Sequence, residues 1–156
     1  MSKTHQYTVD LLWTGNSGEG TTRYTGYERS YTLHVPGKPD IAGSSDPVFR
    51  GDAGRHNPEE FLVAAISSCH MLQFLHECAK AGVSVVDYVD HAKGFMEETG
   101  EGGRFTEVVL HPTVTVALRS MVGLVDALHE KAHHNCFIAA SCNFPIRHLG
   151  TCSAMG

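Results

Sequence analysis

Residues 57 to 82, NPEEFLVAAISSCHMLQFLHECAKAG, decide how the chain is read. Asn57 is a good helix N-cap, Pro58 suits the first helical position, and Glu60 three residues on completes a capping-box pattern. Gly82 suits a C-terminal stop, so the spacing predicts a helix over about 58 to 81. Its apolar residues Phe61, Leu62, Ala65, Ile66, Cys69, Leu72 and Leu75 recur at threes and fours, and Ala64, Met71 and Phe74 widen the stripe nearly all round. A helix of that pattern belongs at the buried centre of a fold.

Strands are expected on both sides of it. From Gln6 to Thr14, Tyr7, Val9, Leu11 and Trp13 fall at every second position before the turn-forming GNSGEGTT, which reads as a strand. A second is expected from Arg23 to Tyr27 and a third from Arg29 to Val35, ended by PGKPD at 36 to 40. Residues 37 to 56 have no clear period and read as a long loop rather than a linker between domains. After the helix, 83 to 98 and 104 to 119 flank TGEGG and read as the two long strands of a hairpin, with Pro112 marking an edge or a bulge. Val125, Leu128 and Ala132 give Val122 to His134 a helical period, so a second helix delivers Cys136 at its C-terminal end, and NFPIRHL offers a last short strand. Strands and helices in blocks make the class α+β.

At 156 residues, 42% hydrophobic and 19% charged, the chain has the size and composition of one globular domain, residues 1 to 156. Lys and Arg total 12 against 17 Asp and Glu, a net charge of −5, which gives no electrostatic reason to bind nucleic acid or an anionic membrane. The N-terminus has no apolar signal-peptide core and the apolar runs are too short to span a bilayer, so a cytoplasmic location is expected. The five cysteines, at 69, 78, 136, 142 and 152, are an odd number in a chain large enough to fold without staples, and no CxxC pair occurs. Any thiol pair must therefore be made by folding.

Cys69 sits within the apolar helix, where a free cysteine is most often a small core residue. Ser67, Ser68 and His70 beside it are a polar cluster that needs partners. A nucleophilic role for Cys69 needs a cation to hold its thiolate, and Arg29, Arg23, Arg50 and Arg55 all precede the helix. Glu59, ten residues before Cys69 and nearly three turns away, either anchors such an arginine or is a solvated first-turn glutamate. Cys136, in AHHNCFIAASC, is either a second redox thiol or part of a metal site, while His133 and His134 also fit a solvated helix end. Cys78, Cys142 and Cys152 lack such context and read as packing or surface thiols.

The chain resembles the OsmC/Ohr family of peroxide-reducing proteins from Trp13 to the end. NPEEFLVAAISSCHMLQFL at 57 to 75 is similar to the family's NPE…CHM signature, and AHHNCFIA at 132 to 139 to its second cysteine segment, in the same order and 67 residues apart from cysteine to cysteine. The resemblance implies an OsmC-like fold: antiparallel sheets around a buried central helix, in an intertwined homodimer with active sites at the subunit interface. It implies that Cys69 is the peroxidatic cysteine, Cys136 the resolving cysteine and Glu59 the carboxylate that holds an arginine. Arg29 is preferred over Arg23 for that arginine, and Cys142 is an additional thiol that competes with Cys136 as resolver.

The implied activity is a thiol peroxidase that reduces organic hydroperoxides to alcohols, with hydrogen peroxide as a second candidate substrate, through a Cys69 sulfenic acid and a Cys69–Cys136 disulfide, with no bound cofactor. The implied partners are a hydroperoxide and an external dithiol of lipoyl type. Apolar neighbours such as Phe61, Leu62 and Phe137 favour an organic substrate. Two other readings stand beside it: a non-catalytic protein in which Cys69, His70, His133 and Cys136 bind a soft metal such as zinc or another ligand, and a peroxide sensor that reacts once and waits.

Overall fold

The computed structural model describes residues 2–155. The chain divides into two compact units, residues 1–61 and 62–156, and the central helix α1 (Pro58–Lys80) begins at the end of the first and runs on as part of the second. Its ends are built as the sequence predicts. Asn57 Oδ1 accepts the Glu60 N–H at 2.8 Å and Glu60 Oε2 accepts the Asn57 N–H at 3.3 Å, a reciprocal cap. At the other end Gly82 adopts φ 71°, the Val83 N–H reaches the Cys78 carbonyl at 2.9 Å, and the helix stops.

The first unit is a three-stranded antiparallel sheet, β1 (Asp10–Trp13), β2 (Tyr31–His34) and β3 (Ile41–Gly43), in that order. The strand expected over Arg23 to Tyr27 does not form. That stretch is a run of turns in which the Gly26 N–H bonds back to the Arg23 carbonyl, Arg29 donates to the Tyr24 and Tyr27 carbonyls and Ser17 Oγ donates to the Gly26 carbonyl, so its backbone groups are taken locally. The stretch 37–56, read as a loop, holds β3 and a short 3-10 turn at Pro47–Phe49, capped by Asp46 Oδ1 on the Val48 N–H. Gly43 is required where it stands, because a Cβ there would run into the Tyr31 ring across the ladder.

In the second unit the expected long hairpin is present, but it is folded between two sheets. β4 (Val85–Asp90) pairs with β7 (Pro112–Val116), and β5 (Lys93–Thr99) pairs with β6 (Gly102–Leu110). Asp90 faces Pro112 and Lys93 faces Val109, three residues on against three back, so the register carries through the break unshifted. Pro112, which lacks an N–H, opens β7 at that break. The sheets are mixed rather than antiparallel as expected: β8 (Ile146–His148) runs parallel to β6, and β9 (Thr151–Ala154), absent from the sequence reading, runs parallel to β7. The crossover supplied by α2 (Val125–Asn135) and the four-residue α3 (Phe137–Ala140) permits those parallel returns.

Two cores lie along α1. Ile66 joins Val108, Leu110 and Ile146 of the β5–β6–β8 sheet. Phe74 and Cys78 join Val114 and Val116 of the β4–β7–β9 sheet and Val125, Leu128 and Ala132 of α2. Burial of α1 follows one stripe, Ile66, His70, Phe74, Glu77 and Cys78, rather than the whole circumference. Ala64, Ser68, Leu72 and His76, at spacings of four on the opposite side, are exposed in the single chain.

Candidate active site

Cys69 stands three full turns into α1 and is half-buried. Cys136 is the single extended residue between α2 and α3, with φ −75° and ψ 111°, and it is buried. Asn135 ends α2, and α3 starts at once with the Ala140 N–H on the Cys136 carbonyl at 3.0 Å, so the chain turns sharply at Cys136 and aims its thiol inward. The two thiols are close enough for Cys69 to act on the ionisation of Cys136, bringing together cysteines 67 residues apart in the chain. Burial pushes the Cys136 thiol up to about 11, the neighbouring Cys69 adds to that, and the Ala139 and Ile138 N–H groups pull the other way. Cys136 is therefore held as the neutral thiol at neutral pH, and of the pair it is the one unsuited to attack first.

The polar cluster beside Cys69 is fully partnered. Ser67 Oγ donates to Asp90, Ser68 Oγ donates to the Ala64 carbonyl at 2.7 Å, and His70 Nε2 meets His129 Nδ1 on α2 at 2.9 Å. His70 and His129 are stacked, with centroids 5.2 Å apart and planes at 5°, and His148 of β8 stacks on both at 5.4 and 5.6 Å. Phe74 covers His129 at 3.9 Å. Burial lowers both His70 and His129 to about 4, so they are neutral imidazoles at physiological pH. They cannot stabilise a thiolate by charge; they pin α1 to α2, whose last turn leads to Cys136. His129 and His148 are absent from the sequence reading. His129 does fall on the buried face of α2 with Val125, Leu128 and Ala132, a signal that was available.

Glu59 Oε2 is buried without a hydrogen-bond partner among the described residues. Arg29 does not pair with it: its guanidinium donates to the Tyr27 and Tyr24 carbonyls, each at 2.6 Å, and lies over the Tyr27 and Tyr24 rings at 4.1 and 4.6 Å. Arg23 pairs with Glu19 at 3.0 Å and Arg55 with Asp52 at 3.3 Å. The suggested metal ligands Cys69, His70, His133 and Cys136 do not converge; among the described residues no three His, Cys, Asp or Glu side chains are spaced to hold an ion. Cys142 Sγ donates to the Ile138 carbonyl at 3.3 Å, one turn back on its own segment.

A cavity of about 470 Å³ lies beside Cys136, lined by Gln73 and His76 of α1 and by His134, Asn135, Cys136 and Phe137. Cys69 does not line it. Phe137 is 81% exposed, so one wall is a projecting aromatic ring. The arrangement can do thiol chemistry: a half-buried thiol, a buried thiol close to it, and a cavity walled in part by the buried member.

Residues 51–148 match a family described as OsmC-like protein. The chain is similar to the solved structure of an OsmC-like protein of unknown function from Vibrio cholerae O1 biovar eltor, with 31% identity, a TM-score of 0.85, and coverage of 94% of this chain and 99% of the other. It has the fold of an OsmC organic hydroperoxide resistance protein from Legionella pneumophila, at 20% identity and a TM-score of 0.68, with 96% and 99% of the two chains covered. It also has the fold of an organic hydroperoxide resistance protein from Elizabethkingia anophelis, at 19% identity and a TM-score of 0.68, with 97% and 99% covered. No curated protein matches the chain.

Proposed function

The chain belongs to the OsmC-like protein family, and on that premise we propose that it is a thiol peroxidase acting on organic hydroperoxides. The observation that carries the reading is the closeness of Cys69 and Cys136. Burial keeps Cys136 protonated, so the first attack falls to Cys69. The Cys69 thiolate attacks the distal oxygen of the hydroperoxide, the O–O bond breaks, and the departing alkoxide takes a proton and leaves as an alcohol. Cys69 is then a sulfenic acid. The Cys136 sulfur attacks it, loses its proton, expels water and closes the Cys69–Cys136 disulfide.

In this reading Glu59 and Arg29 keep the roles that the family resemblance gives them. The guanidinium steadies thiolate and developing alkoxide charge, and the carboxylate orients the guanidinium. Two features support a homodimer in which a second copy completes the site. Glu59 Oε2 is a buried acceptor still in need of a donor, and the Ala64, Ser68, Leu72, His76 stripe of α1 is uncovered in the single chain. The organic hydroperoxide resistance proteins of Legionella pneumophila and Elizabethkingia anophelis, which share the fold, support the substrate class.

The test is intact mass of the reduced protein before and after one equivalent of cumene hydroperoxide, with mapping of any disulfide. A loss of two hydrogens placed on Cys69 and Cys136 is the expected result. An unchanged mass would sink the proposal.

A further inference from the structure

We propose that His70 and His129 are positioning residues for disulfide closure, their hydrogen bond setting the gap across which Cys136 reaches Cys69. The inference rests on the disulfide of the peroxidase reading and adds the two residues that govern how readily it forms. His70 directly follows Cys69 on α1. Cys136 follows His129 by seven residues, about two helical turns, and continues α2 as its C-terminal cap. The bond therefore ties the neighbour of one thiol to the helix that delivers the other.

Within this contact the bond is the directional element. Among the described residues it is the one side-chain hydrogen bond that joins α1 to α2, at 2.9 Å. The rest is apolar packing of Phe74 and Cys78 against Val125, Leu128 and Ala132, which is non-directional, whereas a hydrogen bond weakens steeply with distance and angle. The His129 ring is held in orientation by Phe74, at 3.9 Å with planes at 9°, and by His148. Its other nitrogen, Nε2, is buried and has no partner among the described residues, so His70 is the polar partner that the ring has there. Without that partner both ring nitrogens would be buried unpaired, which makes a shift of α2 away from His70 costly.

The step that feels this gap is closure. The Cys136 sulfur attacks the sulfenic sulfur of Cys69, the S–S bond forms, the S–O bond breaks, and hydroxide leaves with the electron pair and takes the Cys136 proton as water. A disulfide tolerates only a narrow range of Cα separation and torsion, and a misplacement of about 1 Å costs an intramolecular step about 100-fold. The earlier attack on the hydroperoxide uses Cys69 and does not involve Cys136. Loosening the link between the helices slows the second step and spares the first.

The experiment separates the bond from the ring stack. An Asn amide falls where an imidazole has Nδ1 and a Gln amide where it has Nε2, so His129→Asn and His70→Gln keep a bonding group, while His129→Phe and His70→Phe keep the stacked ring and lose it. Each reduced variant, shown to be folded by circular dichroism, receives one equivalent of cumene hydroperoxide in the presence of dimedone. The ratio of Cys69–Cys136 disulfide to dimedone adduct on Cys69 reads closure, and the rate of hydroperoxide loss reads attack. Both Phe variants should lower the ratio about tenfold or more, with attack changed less than about twofold, and Asn and Gln should restore it to within about threefold. An unchanged ratio in the Phe variants, an equal fall in all four, or attack slowed as much as closure overturns the proposal; where one position does not tolerate Phe, the pair of variants on the other helix decides. Dimedone adduct without disulfide in the wild-type protein overturns it as well. Neither product in the wild-type protein overturns the peroxidase reading alone. The same variants are then compared at equilibrium in buffers of reduced and oxidised dithiothreitol, where the Phe variants should form the Cys69–Cys136 disulfide with an equilibrium constant about tenfold or more below that of the wild type. Equal constants, or no disulfide in any of them, overturn the positioning role itself.

Discussion

His70 on α1 and His129 on α2 share a 2.9 Å hydrogen bond inside the core, both almost fully buried, with His148 stacked against the pair. Also acting on this cluster are His133, Asp90 through its charge on His70, and Glu130 and Asp126 through theirs on His148. Burial, with the neighbouring imidazoles adding to it, holds His70 and His129 near 4, against about 6.5 for an ordinary imidazole. Between those values the unfolded chain binds protons that the folded chain refuses, so stability is full above about pH 6.5 and falls as pH drops toward 4. The cost grows with every pH unit below that point, because the folded pair stays neutral while the unfolded imidazoles take up protons. Urea midpoints at pH 7.5, 6 and 5 should fall in that order, and His129→Leu should about halve the slope. A flat profile would mean that the pair accepts a proton at little cost.

The two cysteines should separate cleanly under substitution. Cys69→Ser leaves no thiol able to start the cycle and should abolish hydroperoxide reduction. Cys136→Ser should allow one turnover and then stall, with Cys69 as sulfenic acid or further oxidised. Mass spectrometry after one and ten equivalents of cumene hydroperoxide distinguishes the states. Multi-turnover activity in Cys69→Ser would remove Cys69 from the mechanism.

What the sequence made legible was local. The Asn57 cap, the Gly82 stop and the long hairpin about TGEGG are all dictated by neighbours in the chain, and all are present. The Thr-rich and Tyr-rich stretch before Tyr27 has the composition of a strand, yet its backbone carbonyls are claimed by Ser17 and Arg29, partners that propensity does not register. The closeness of Cys69 to Cys136 and the parallel returns of β8 and β9 depend on the α2 crossover, a long-range event that no period encodes. His148 joins the histidine stack only because β8 sits in register with β6, Leu110 opposite His148.

The uncovered stripe of α1 leads to a prediction about assembly. Leu72 is 63% exposed at the centre of Ala64, Ser68, Leu72 and His76, on a helix whose sequence is apolar nearly all round. In a homodimer that stripe is covered, and a charge placed there would be buried unpaired. Sedimentation equilibrium should give twice the chain mass for the wild-type protein and a shift toward the single chain for Leu72→Glu. A monomeric wild-type protein would leave the stripe without the proposed partner.

The arginine assignment can be decided by how each side chain is held. Arg23 is paired with Glu19 across one exposed helical-type spacing, their side chains 70% and 63% exposed, an arrangement of little energetic weight. Arg29 is fixed by two carbonyls and two aromatic rings, so its guanidinium already sits in one orientation. A preorganised cation loses little on meeting developing negative charge. A hydrogen bond to a charged group is worth about 1.5–3 kcal/mol, which corresponds to about 10- to 100-fold in rate. Arg29→Met should therefore slow Cys69 oxidation by that factor, while Arg23→Met should change it by less than about twofold. Arg29→Lys keeps the charge but not the fork that spans both carbonyls, and should recover part of the loss, which separates the effect of charge from that of loop anchoring. The measurement is the second-order rate with cumene hydroperoxide in each variant, after circular dichroism has established that each is folded. A loss confined to Arg23→Met would transfer the role to Arg23.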